Sequence, residues 1–136
     1  DIKSILVPID LTKESLQVIT LAGDLAKMFN SKVHVIAEKQ SDQILNTRLQ
    51  NRIGLVKKQY EDTEVDSEIN FVKKAGRYGV KISNYAKVKK LEMIALSYHS
   101  ESLLPQFDSF AQNLITNKAG LPVMVINSKL ASALYF

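Results

Sequence analysis

A chain of 136 residues with 46% apolar content is the size of one ordinary domain and can bury a real core. It has no cysteine, which excludes disulfides, thiol catalysis and cysteine-ligated metals and fits a reducing compartment. The net charge of +4 sits largely on lysines in helical pairs or near-pairs (Lys57 and Lys58, Lys73 and Lys74, Lys87, Lys89 and Lys90), with only Arg48, Arg52 and Arg77 as arginines. That describes solvated faces rather than a nucleic-acid footprint.

Ile5-Leu6-Val7-Pro8-Ile9-Asp10 reads as a strand buried on both faces of a parallel sheet. Pro8 has no N–H for the ladder, so pairing is expected to end near it and leave Asp10 at the carboxyl edge. Thr12 or Ser15 then caps a helix with Leu16, Ile19, Thr20, Gly23, Ala26 and Lys27 in phase. Leu21, Leu25, Met28 and Phe29 broaden its apolar face, and Asn30 closes it. Val33 to Ala37 is a second buried strand.

From Asp42 to Glu61 the pattern is helical, with Ile44, Leu45, Arg48, Leu49, Arg52, Ile53, Val56 and Tyr60 on one side. Gly54 inside it suggests a bend or close packing. Ser67 to Val72 alternates, as a less buried strand near an edge would. Gly76 and Gly79 flank a turn. Val80 to Lys90 is a third helix burying Val80, Ile82, Ser83, Ala86 and Tyr85. Met93 to Leu96 is a fourth strand, Ser109 starts a fourth helix that Gly120 ends, and Val123 to Ile126 is a fifth strand.

Strands alternating with helices predict an α/β fold: a single domain with an open, mostly parallel five-stranded sheet and helices on both faces. The domain is expected over residues 1–128, with an apolar tail over 129–136. A start at Asp1 rather than Met suits a domain excised from a longer protein. No apolar run approaches the roughly 18 residues of a membrane span, and DIKSILVPID does not read as a signal peptide. A soluble, cytoplasmic protein without nucleic-acid or membrane partners is expected.

The segments ILVPID, SKVHVIAE, GRYGVKISNYAKVKKLEMIAL and SFAQNLITNKAGLPVMVIN, in that order and spacing, resemble a universal stress protein domain from Lys3 to Asn127. The chain is most similar to the second half of tandem-domain members of that family. The resemblance implies an adenine-nucleotide-hydrolase-like fold, and in ATP-binding members a Gly, two residues, Gly, nine residues, then Gly-Ser or Gly-Thr after the fourth strand. Glycines there let backbone amides reach phosphates, and the hydroxyl sits at a helix N-terminus. Laid on this chain, the first two glycines fall at Ser97 and Ser100, and the last pair falls at Asp108-Ser109 in a loop about two residues shorter. Only Ser109 fits, and Asp108 would repel a phosphate. The base side is better kept: Asp10 matches the aspartate at the adenine, with Pro8 before it and Val35 matching a residue beside the base.

Other chemistries are weaker. His34 inside a strand reads as packed or hydrogen-bonded, and His99 with Glu101 and Asp108 is a poor metal or acid–base set. Ser97 and Ser100 lack the sharp elbow of a serine hydrolase. A response-regulator receiver would need a phosphorylatable aspartate ending the third strand, where Phe71-Val72-Lys73-Lys74 stands.

The family resemblance also implies pairing through the fifth strand. Val123, Met124, Val125 and Ile126 would form an open edge that invites a homodimer or a second such domain. The expectation is therefore a non-enzymatic, dimeric stress-response or interaction module without metal or cofactor. The alternatives are a degraded adenine-nucleotide or other small-ligand site at Pro8, Asp10, Val35, Ser97, Ser100 and Ser109, and a cryptic nucleotide hydrolase.

Overall fold

The computed structural model describes residues 2–73, 78–98 and 120–127. In chain order these form β1 (Ser4–Ile9), α1 (Lys13–Phe29), β2 (Lys32–Glu38), α2 (Gln43–Asp62), β3 (Ser67–Val72), α3 (Tyr78–Val88), β4 (Met93–Tyr98) and β5 (Val123–Asn127). The sheet order is β3-β2-β1-β4-β5, and every pairing is parallel. Parallel neighbours need crossovers, and the intervening helices supply them. The expected fourth helix and the tail lie outside the described residues.

Both faces of the sheet are covered, which is why β1, β2 and β4 are nearly continuous apolar runs. On one face, Ile5, Val7, Val33 and Val35 meet Val18, Ile19, Ala22 and Ala26 of α1 and Leu49, Ile53, Val56 and Tyr60 of α2. On the other, Leu6, Ile36 and Ile94 meet Ile82 and Ala86 of α3. Each fully buried aliphatic side chain contributes about 1.5–3 kcal/mol of transfer free energy. The half-buried β3 is an edge strand, as its alternation predicts.

The helices end alike. Asn30, Glu64 and Lys90 are left-handed, with φ of 55°, 58° and 56°. The next residue's N–H then returns to the carbonyl five back: Ser31 to Ala26 at 2.8 Å, Val65 to Tyr60 at 2.8 Å and Leu91 to Ala86 at 2.9 Å. This Schellman closure satisfies late helix carbonyls and turns the chain into the next strand without a glycine. Gly120 also has a positive φ, 66°.

Several sequence expectations need correction. Met28 is 75% exposed, Ile44 72% and Val80 52%, and Phe29 is also exposed, so the buried stripes are narrower than the apolar residues suggest. Val18 and Ala22 supply the buried face of α1 instead. Gly54 packs against nothing, whereas Gly23 is the glycine in close contact. Pairing does not simply stop at Pro8: the ladder to β2 runs through Ile9↔Ala37, while the ladder to β4 ends at Leu6↔Ile94.

Candidate functional site

The strand order reverses direction between β1 and β4, the topological switch point where open α/β sheets form a crevice beyond their carboxyl ends. Here the two strands pair only at Ile5↔Met93 and Leu6↔Ile94 and then part. Pro8, without an amide proton, lies just past the last pair, so it costs no hydrogen bond on that side. Asp10 follows on one side of the opening. Ser97 lies on the other, near the carboxyl end of β4 in register with Ile126.

The loop from Asp10 to α1 is closed on itself. One carboxylate oxygen of Asp10, Oδ1, accepts from the Thr12 N–H at 2.8 Å and from Thr12 Oγ1 at 2.5 Å. Thr12 is the N-cap of α1, yet its hydroxyl serves Asp10 rather than the helix. Ser15 Oγ donates to the carbonyls of Asp10 and Thr12, at 3.0 and 3.1 Å. Arg52 then reaches across from α2. Its Nη1 donates to the Asp10 carbonyl at 2.8 Å and to the Thr12 carbonyl, with Ser15 Oγ at 3.5 Å.

Beside this loop lies a cavity of about 340 Å³ lined by Ile9, Asp10, Leu11, Glu38, Gln40 and Leu49. Among the described residues its lining comes from the carboxyl ends of β1 and β2 and from α2. Lys81 of α3 stands 3.8 Å from Glu38, so that carboxylate is partly compensated.

Of the predicted site residues, Pro8, Asp10 and Val35 are described in full. Pro8 and Asp10 flank the opening, but Val35 is fully buried and pairs with Val7. The residue in register with Pro8 is Ile36. Because successive strand residues face opposite ways, Val35 belongs with Val7 to the face of α1 and α2, and Ile36 shares the face of Pro8. Ser100 and Ser109 lie outside the described residues, as do Asp108, His99 and Glu101, and so does the Ser97 side chain.

The sequence pattern puts Leu49 and Arg52 on the packed side of α2 but assigns no site role to them, or to Glu38 and Gln40. A signal existed for one of them: Arg52 stands three residues after Leu49 on the packed side of α2, where a guanidinium must find acceptors.

A second polar cluster occupies the sheet face toward α3. Glu68 Oε1 lies 3.1 Å from Lys32 Nζ and 3.7 Å from His34 Nδ1. Asn70 Nδ2 is 2.7 Å from both Glu68 Oε2 and Tyr85 Oη. His34 is thus packed, as expected, but its buried Nδ1 makes no hydrogen bond. Burial lowers its pKa, opposed by the Glu68 charge and reinforced by Lys32 and Lys89. The hydrogen bonds from Asn70 and Lys32 lower that of Glu68. Among the described residues no three His, Cys, Asp or Glu side chains gather as a metal site, and no helix is long and apolar enough to cross a membrane.

An open, doubly wound α/β domain with a loop-borne carboxylate at its switch point is the class defined so far. Residues 1–127 match the model of the universal stress protein family, and the chain belongs to that family.

Solved structures agree on the fold. A universal stress protein from Archaeoglobus fulgidus superposes with a TM-score of 0.76 at 17% identity, covering 92% of this chain and 93% of that one. The A. fulgidus universal stress protein solved in complex with dAMP gives 0.72 at 14%, covering 93% and 98%. Another, from A. fulgidus DSM 4304, gives 0.70 at 14% and covers 92% of this chain but only 44% of its own, longer one. No curated protein matches the sequence.

Proposed function

We propose that this chain is a non-enzymatic stress-response module that works in the cytoplasm through association with a protein partner, its adenine-nucleotide binding lost and no cofactor held. One observation carries the reading: Asp10 Oδ1, the Asp10 and Thr12 carbonyls, the Thr12 N–H and hydroxyl and Ser15 Oγ are already bonded to one another or to Arg52. An incoming base that uses these atoms must compete with exposed charge-assisted bonds, at up to about 1 kcal/mol each. On the phosphate side, the sequence puts Asp108 where a glycine stands in ATP-binding members. A like charge a few ångströms from a phosphate adds about 1–4 kcal/mol, depending on screening. Together these weaken binding by about 1–5 kcal/mol, which moves a micromolar site toward the millimolar range.

Association is proposed through β5. It pairs with β4 on one side only among the described residues, and a two-fold copy or a tandem neighbour would satisfy its other edge.

The test is thermal unfolding with and without millimolar ATP, together with light scattering on the full chain. An unchanged melting temperature and a dimer mass are expected. Ligand at 100 times its dissociation constant adds about 2.7 kcal/mol, so a rise of several degrees would overturn the loss of binding. A monomer at high concentration would overturn self-association through β5.

The cavity of about 340 Å³ at Ile9, Asp10 and Leu49 favours one second reading, a small-ligand module. In that case a neutral ligand such as adenosine raises the melting temperature while ATP does not, because Asp10 and Glu38 both line the cavity.

A further inference from the structure

We propose that Arg52 is an autoinhibitory latch, a positioning residue on α2 that holds the β1–α1 loop shut against ligands; this rests on the reading that the switch-point site is closed. The latch spans 42 residues of sequence between Arg52 and Asp10, yet it meets the loop at two carbonyls, those of Asp10 and Thr12, with Ser15 Oγ further off at 3.5 Å. The two carbonyls lie just past the carboxyl end of β1 and are acceptors of the kind a base amino group requires. A guanidinium stays protonated throughout the physiological range and presents a rigid fork of donors, so it satisfies clustered carbonyls better than an ammonium does.

The lock has two layers. Arg52 donates to the carbonyls from α2, while the Asp10 carboxylate turns back onto the Thr12 N–H and hydroxyl. With both in place the Asp10 and Thr12 carbonyls and Asp10 Oδ1 already have donors within the protein. Leu49, one turn before Arg52 on the same helix, forms a wall of the adjoining cavity, so a shift of α2 would move the latch and the cavity together.

Arg52 is only partly buried, and its stem can be kept while its donors are removed. Arg52→Met is therefore expected to fold. Three proteins are compared by hydrogen exchange and by adenosine binding in calorimetry: wild type, Arg52→Met and Arg52→Lys. Adenosine lacks phosphates and does not depend on the loop after β4.

In Arg52→Met the amides of residues 10–15 should exchange at least tenfold faster while those of β1 and β2 keep their rates. Adenosine affinity should rise about tenfold over wild type. Arg52→Lys, which keeps a charge but loses the fork, should fall between. Unchanged exchange at residues 10–15 overturns the latch. So does a uniform rise across the sheet, which would make Arg52 a general packing residue, and so does faster loop exchange with no gain in adenosine binding. Tight ATP binding by the wild type would instead overturn the loss of nucleotide binding proposed above, and the exchange pattern would still decide the latch.

Discussion

The ring of Tyr60 on α2 lies across Gly23 on α1, so close that a β-carbon at Gly23 would stand 2.9 Å from Cε1. The ring cannot easily retreat. It is fully buried, and its hydroxyl donates to the Ile19 carbonyl at 2.7 Å. Gly23→Ala gains about 1 kcal/mol in helix propensity but overpacks a fixed aromatic, at about 1–3 kcal/mol. A net loss of about 1 kcal/mol is expected in urea unfolding. In a Tyr60→Leu background the same change should become stabilising, because the opposing ring atom is gone.

Gly54, on the other helix, makes the opposite prediction. Nothing lies within 4 Å of where its β-carbon would be, and its φ is ordinary. Gly54→Ala therefore removes backbone entropy from the unfolded chain without cost in the fold. It should raise stability by about 1 kcal/mol, seen as a higher denaturant midpoint with unchanged slope. A loss of stability would mean that α2 uses the glycine for something its packing does not reveal.

These two glycines mark the limit of what the sequence says. Periodicity placed all eight described elements to within a few residues, because strands buried on both sides and amphipathic helices leave strong signals. It could not say which glycine lies under an aromatic, since that depends on how α1 crosses α2. Similarly, Met28, Ile44 and Val80 are apolar and near the right phase, but each sits just outside the stripe its sheet face can cover. At the site, Asp10 was legible from its place after β1. The face on which Val35 stands was not legible, because one residue of strand register separates the two faces. Arg52 escaped because its partners are backbone carbonyls, which carry no side-chain signature.

The three helix ends offer a test of cost against tolerance. Glu64 and Lys90 adopt φ near 57° with a full β-carbon, a conformation costing about 1–2 kcal/mol for most L-residues. Replacing either by glycine removes that strain but adds unfolded-state entropy of about 0.5–1 kcal/mol. Glu64→Gly and Lys90→Gly should each stabilise by about 0.5 kcal/mol. Asn30→Gly should change little, since asparagine already tolerates the left-handed region. Chemical denaturation of the three single variants separates the cases.

The His34–Glu68 pair makes stability depend on pH. Burial holds the His34 pKa below its ordinary 6.5, so the unfolded chain takes up the proton first as pH falls. Lys32 and Lys89 add repulsion to the charged form, while Glu68 and Asp66 oppose it. For a base with a lowered folded pKa, stability is full above the unfolded value and declines as pH drops below it. Glu68, held below its ordinary 4.5 by Asn70 and Lys32, adds a second decline at lower pH. Urea midpoints should therefore fall between pH 7 and pH 5, before carboxylate titration dominates. His34→Leu keeps an apolar group on this sheet face and removes the titration. It should flatten the profile in that window while leaving the decline below pH 4.5 in place. An unaltered profile would show that acid acts through some other group, and that the unpartnered Nδ1 is of no consequence to stability.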